Sequence, residues 1–286
     1  MYDSVFFVNR FVVFAIIFFI SLKAESQEWQ GSAYAESVGG AMVCEAGFRS
    51  LEHNPAGLAF APMCFGAGYI NKCGLKELSQ KTAVAAIPVL RGVFGTGLHY
   101  YGFDMWNIVN ASLAYATKLS ETFSAGVRTS YRGLHVDDMP SRINVFSADV
   151  GMLCRPNDAL RLGTWVSNIT NSHYSDIDSI LYIRIKVGAM YEFNGGHSLR
   201  VDIEKNNSRN EIAFNAGVVC KLREKIAVSM GATTLPFAVS FGTEFVVGNA
   251  VMHFAVKRYQ YLGFCPSASL YWCVGHDTGR CCNTKK

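Results

Sequence analysis

The chain has 286 residues, half of them apolar and only 17% charged, with a formal net charge of +4. So mild a charge, with no long Lys/Arg cluster, excludes nucleic acid as a partner. A bundle of membrane helices is also excluded, because it needs several apolar runs of about 20 residues and only one long run, 11–22, is present.

That run comes first in chain order. Arg10 precedes it and the polar, small-residue stretch Lys23-Ala24-Glu25-Ser26-Gln27 follows, which is the order of a secretory signal peptide. Residues 1–24 are therefore expected to be removed on export, and no cysteine follows the run to carry a lipid anchor. The hatch is expected over 25–59, where residues 28–59 do not alternate in polarity. They contain small and turn-forming residues, Ser37-Val38-Gly39-Gly40-Ala41-Met42 and then Glu52-His53-Asn54-Pro55-Ala56-Gly57-Leu58-Ala59, and read as a compact hatch.

From 60 to 275 the sequence falls into segments of about ten residues with alternating polarity, the pattern of a transmembrane β-barrel. In 198–204, Leu199, Val201 and Ile203 share one face while Ser198, Arg200, Asp202 and Glu204 share the other, since successive strand side chains point to opposite sides. The same alternation runs through 123–132, 237–247 and 181–193, where Leu181, Ile183, Ile185 and Val187 oppose Tyr182, Arg184, Lys186 and Gly188. About fourteen strands are predicted, from 60–70 to 266–275, with the eighth over 179–193. Joints after even-numbered strands are brief, such as 90–92 and 248–249. Those after odd-numbered strands are often longer, notably 71–79, 134–141 and 170–178, although 235–236 is short. An even strand count with this asymmetry puts both termini in the periplasm. Closure is expected because an open sheet edge in hydrocarbon leaves backbone N–H and C=O groups unpaired. Residues 276–286 read as a polar periplasmic tail.

The nine cysteines fit neither a compact disulfide framework nor a zinc site. Cys154, Cys220 and Cys273 fall in strand patterns and read as small apolar filler, whereas Cys281 and Cys282 lie in the tail, where pairing with another thiol is open. By parity Arg128, Arg132, Arg161, Arg184, Lys186 and Arg200 point into the lumen, as do Asp149, Glu192, Asp202, Glu204, Glu244 and Lys257. Two readings stay open. The charges pair with one another and with the hatch, keeping a desolvated plug in place, or the basic excess lines a substrate path and steers a carboxylate.

There is no G-x-S-x-G, no H-E-x-x-H and no Gly-rich phosphate loop. His135-Val136-Asp137-Asp138 reads as a solvated outer loop, and His276 with Cys281 and Cys282 lacks a fourth ligand. No enzymatic activity, metal or cofactor is expected.

Gly39-Gly40-Ala41, followed by Asn54-Pro55-Ala56-Gly57-Leu58 just ahead of the first strand, resembles the long-chain fatty acid transporter (FadL) superfamily, including its PorV and PorQ branch. The likeness continues at Leu160-Arg161-Leu162-Gly163, at Val166-Ser167-Asn168-Ile169, through 181–193, at Leu199-Arg200-Val201-Asp202 and over 227–232, and so covers nearly all of the mature chain. The resemblance implies an all-β fold: a transmembrane antiparallel barrel of about 14 strands in the bacterial outer membrane, with an N-terminal hatch inside the lumen. It further implies passive uptake of small hydrophobic, fatty acid-like molecules, gated at Gly39, Gly40, Asn54, Pro55, Ala56 and Gly57. The chain departs from the transporter type in lacking long apolar outer loops and a terminal aromatic residue. A PorV-like barrel that hosts or shuttles exported proteins is therefore the alternative.

Overall fold

A computed structural model describes residues 31–274 apart from 73, 138–141, 173–180, 208–209 and 261–262. The expected signal peptide, residues 25–30 of the expected hatch and the whole tail, with His276, Cys281 and Cys282, lie outside the described residues. The strands are β1 (Cys64–Asn71), β2 (Ser79–Val89), β3 (Gly92–Phe103), β4 (Trp106–Lys118), β5 (Phe123–Val136), β6 (Ile143–Cys154) and β7 (Leu160–Ser167), followed by β8 (Arg184–Glu192), β9 (Ser198–Asn206), β10 (Ala213–Arg223), β11 (Ile226–Thr234), β12 (Phe237–Val247), β13 (Ala250–Tyr259) and β14 (Gly263–Cys273). Each pairs antiparallel with its neighbours in sequence, and β1 pairs with β14, so the sheet closes into a barrel.

The period of two decides what each side meets. Leu199, Val201 and Ile203 are exposed on β9 while Ser198, Arg200, Asp202 and Glu204 are buried. Every strand presents exposed large apolar side chains in this way, from Phe65 on β1 to Trp272 on β14. In water so continuous an apolar surface would drive association. Against hydrocarbon it meets a solvent of its own polarity, and closure leaves no edge to satisfy.

Several boundaries differ from the sequence reading for local reasons. β1 starts at Cys64 rather than 60, because Pro55–Phe60 winds as a 3-10 turn with Asn54 as its N-cap. β7 stops at Ser167 because Asn168 adopts φ 56°, a left-handed conformation that Asn tolerates better than most residues. Its backbone N–H donates to Asp149 Oδ1 at 2.9 Å, and its Oδ1 accepts from the Ser172 N–H at 3.0 Å. β8 then starts at Arg184, and Leu181, expected on the lipid face, is buried instead among lumen residues. Cys273 is not filler. It forms a disulfide with Cys64, its register partner across the seam between the first and last strands.

Ahead of the barrel, the chain forms a short helix, α1 (Ala33–Ser37), capped where Ser32 Oγ accepts from the Ala35 N–H at 3.2 Å, then the 3-10 turns Phe48–Ser50 and Pro55–Phe60. α1 packs on β11 to β14, whereas Pro55–Phe60 packs on β3 to β6. A segment that touches opposite walls through their buried faces lies inside the barrel. Wall glycines make the close approach possible: a Cβ on Gly126 would collide with the backbone of Pro55, and one on Gly151 with the side chain of Asn54.

Candidate functional site

The inner segment is held by charges that would be costly to bury singly. Glu45 accepts from Arg200 at 2.7 Å, Arg49 donates to Glu244 at 2.6 Å, and Glu244 also meets His253 at 2.7 Å. Glu36 lies 3.2 Å from Lys257, and Glu52 lies 3.0 Å from His99. These contacts engage β9, β12, β13 and β3, so the segment is tied to well-separated parts of the wall. Hydrogen bonds from backbone and hydroxyl groups complete the attachment. The Val43 N–H donates to Asp202 at 2.9 Å, Ser124 Oγ donates to the Ala56 carbonyl at 3.0 Å, and Ser229 donates to Ser37 at 2.8 Å.

Above and below this segment the lumen differs in character. At the end bearing the longer joints, Tyr101, Ile108, Leu134, Val145 and Leu181 form a buried apolar cluster, with Trp106 edge-on to Tyr101 at 5.5 Å between ring centroids. At the short-turn end a cavity of about 430 Å³ opens between the inner segment and the β7 to β12 wall. Three ion pairs, Arg200–Glu45, Arg49–Glu244 and Arg161–Glu192, line its floor, and Lys221, Arg223, Glu224 and Lys225 line the side where β10 turns into β11. Met190, Val219 and Val246 supply apolar surface between them.

No family model matches the chain, and no curated protein matches it. Among solved structures, the toluene transporter TbuX of Ralstonia pickettii superposes with a TM-score of 0.60 at 10% identity, covering 85% of this chain and 97% of that one. The Pseudomonas putida toluene transporter TodX gives 0.59 at 12% identity over 87% and 98%, and a Pseudomonas aeruginosa FadL homologue gives 0.58 at 11% over 88% and 100%. With strand number and closure already established, these likenesses decide the fold. The chain shares the fold of these barrels. At such identities the likeness is one of fold, and the residues within it stand on their own geometry.

In this barrel the residues expected at the gate lie at two places on the inner segment. Gly39 and Gly40, with φ of 67° and 82°, reverse the chain after α1, and Gly39 sits against the backbone of Ala232 and Ala216, where a side chain has no room. Asn54 joins two layers, its Nδ2 donating to the Val43 carbonyl at 2.7 Å and to the Met152 carbonyl of β6 at 3.0 Å, while its Oδ1 accepts from the Ala56 N–H at 3.1 Å. Pro55 takes the first turn of the 3-10 segment, and the Gly57 carbonyl accepts from the Gly47 N–H at 2.8 Å.

The cations expected along the lumen do not converge. Arg128 is paired with Asp149 and donates to the Leu51 carbonyl at 2.8 Å, under the 3-10 turns. Lys186 pairs with Glu204 at 2.9 Å, Arg184 opens β8, and Arg132 is half-buried on β5 nearer the longer joints. Arg161 and Arg200 alone among the six line the cavity. His135 and Val136 end β5 rather than forming a loop, and the Asp137 N–H donates to the Met105 carbonyl at 2.9 Å; Asp138 lies outside the described residues. Among the described residues no group of three or more His, Cys, Asp or Glu side chains could hold a metal. Sequence reading missed Glu36, Glu45, Arg49 and Glu52 as tethers. Their signal was available in principle, because four ionisable residues in a segment expected to be buried need partners, and the inward parity positions supply them.

Proposed function

We propose that this barrel passes small hydrophobic molecules through the bacterial outer membrane, with the inner segment acting as a hatch that must shift for passage. The observation that carries the reading is the division of the lumen: an apolar cluster at one mouth and a polar cavity at the other, separated by a segment held through discrete, breakable contacts. An apolar solute would gain from entering at the former, by roughly 25 cal/mol per Å² of surface withdrawn from water. The longer joints are then outside and the short turns periplasmic. Long-chain fatty acids and monoaromatic hydrocarbons such as toluene are the solutes to try, the latter because the similarly folded TbuX and TodX are toluene transporters.

The test is uptake of labelled fatty acid and of toluene by liposomes carrying the folded barrel, with Asn54→Ala as the hatch variant. Losing both bonds from Asn54 Nδ2 loosens the hatch, so uptake is expected to change severalfold while the barrel keeps its unheated gel mobility. Equal uptake by both proteins, or none by either, would overturn the gate.

The number of charged tethers favours a second reading, in which the lumen stays closed and the barrel hosts or shuttles exported proteins. Cross-linking in intact outer membranes should then recover the same partner repeatedly, and its absence would count against that reading.

A further inference from the structure

The outward face of the wall is almost free of charge, and its few exceptions share a sign and an end. Among the described strand residues, Lys, Arg, Asp and Glu take outward positions only as Lys81 on β2, Lys205 on β9 and Arg258 on β13. Lys81 is the third residue of β2, and Lys205 and Arg258 are the last but one of β9 and β13, so all three sit where the strands meet the longer joints. At the short-turn ends, Lys118 turns inward to the Phe60 ring and Arg223 to the cavity rim. A lipid-facing cation is costly at mid-membrane and nearly without cost at either interface, which accounts for strand ends. It does not account for the choice of one end, nor for the lack of acids.

Two of the three stand close together. Lys81 and Arg258 flank the seam with only β14 and β1 between them, about 15 Å measured across the strands, whereas Lys205 lies on the opposite side of the barrel. Both are exposed, and among the described residues neither is paired with an acid. Rings hold them instead. Lys81 Nζ is 5.5 Å from the Tyr100 centroid, with Tyr69 opposite it on β1, and the Arg258 guanidinium is 5.7 Å from the ring of Phe264, its register partner on β14. A ring positions a cation without cancelling its charge. Lys76 and Glu77, on the adjoining 3-10 turn, cancel each other. Towards mid-membrane from this pair the outward side chains Ala67, Ala83 and Ala268 are small, which leaves a shallow lane in the wall.

We infer that the outward face of β13, β14, β1 and β2 binds a membrane lipid whose phosphate headgroup carries a net negative charge. Lys81 and Arg258 reach the headgroup, and an acyl chain lies along Ala67, Ala83 and Ala268. The inference goes beyond the transport reading: it requires that the barrel span a membrane, and no passage through the lumen.

The experiment counts lipids retained by the full barrel, released from a neutral detergent, by native mass spectrometry. The probes are dioleoylphosphatidylglycerol and dioleoylphosphatidylcholine, which share acyl chains and a phosphate and differ in net charge. The glycerol lipid is expected to bind at least about tenfold more tightly at low salt, because each Lys or Arg near anionic lipid contributes about fivefold. That preference should shrink as salt is raised. Lys81→Gln/Arg258→Gln should remove most of it and leave phosphatidylcholine unchanged, and either change alone should remove about fivefold. Lys221→Gln/Arg223→Gln, at the short-turn end, should leave the preference intact. Unheated gel mobility checks that both variants fold. Equal retention of the two lipids, a preference that survives Lys81→Gln/Arg258→Gln, or an equal loss in the short-turn variant would overturn the inference. So would displacement of phosphatidylglycerol by equimolar inorganic phosphate, which would make this a site for a free anion. The uptake assay separates the two ideas. A barrel that imports toluene without preferring the anionic lipid lacks this site and keeps its transport function, whereas one that prefers the lipid but imports nothing does the reverse.

Discussion

At the scale of single residues, the inner segment is a problem of buried charge. Glu45 and Arg200 are both buried and stand 2.7 Å apart, so each is compensated only by the other and by the few polar groups around them. Removing one member leaves an uncompensated buried charge, at a cost of about 3–5 kcal/mol, whereas replacing both with apolar residues of similar volume is often close to neutral. Glu45→Gln should therefore loosen the inner segment more than Glu45→Leu/Arg200→Met does. Hydrogen exchange at the amides of residues 41–47 would show the difference, and a double variant looser than the single would refute the argument. Gly151→Val makes a steric version of the same test: its side chain would occupy the space of Asn54, so the inner segment should exchange faster while the barrel still closes. Parity in the sequence placed Arg200 in the lumen, because a lipid-facing arginine between Leu199 and Val201 would have no compensation. It did not reveal Glu45 as the partner, since nothing local relates residues so far apart in the chain. The same holds for wall glycines, whose value lies in the backbone of another segment.

At the scale of elements, alternation carried most of the strand pattern because one face is fixed by lipid and the other by the lumen, and a slip of one residue would exchange them. It failed where the chain leaves the sheet without losing its alternation. Leu181 and Ile183 continue the rhythm of β8, yet the strand begins at Arg184 and Leu181 enters the apolar cluster of the lumen. The cause lies upstream at Asn168. Its left-handed φ ends β7, and its side chain both donates to the Ser172 and Leu181 carbonyls and accepts from the Ser172 N–H and the Thr170 hydroxyl. Alanine at this position would lose those bonds and strain the backbone, for a cost of about 1–3 kcal/mol. Asn168→Ala should therefore lower the thermal midpoint and free the Ser172 amide to exchange, whereas Asn168→Asp, which keeps the acceptor, should protect that amide better. Equal protection in both variants would show that Asn168 is not what sets the end of β7.

For the molecule as a whole, what distinguishes this barrel from an open sheet is one seam, between β1 and β14, where the last strand formed must find the first. Seven register pairs join the two strands, and Cys64–Cys273 adds a covalent link at the short-turn end. The linked residues are 209 apart in sequence, so the bond closes nearly the entire barrel into a loop. In the chain-entropy picture such a loop removes about 5 kcal/mol of unfolded-state freedom, if the native geometry is unstrained. Neither cysteine announced this in the sequence, because pairing them requires the register of a closed sheet, which exists only once the strand count and the order of the strands are known. Cys64→Ser/Cys273→Ser should still form the barrel, since the ladder and the lipid-facing surface are untouched, but it should unfold at a lower temperature in the gel-shift assay. A reducing agent should bring the unmodified protein to the same temperature and leave the double variant unaffected. If thiol labelling shows Cys64 reduced while the unfolding temperature has not moved, the backbone ladder alone holds the seam and the disulfide is a by-product of two thiols placed side by side.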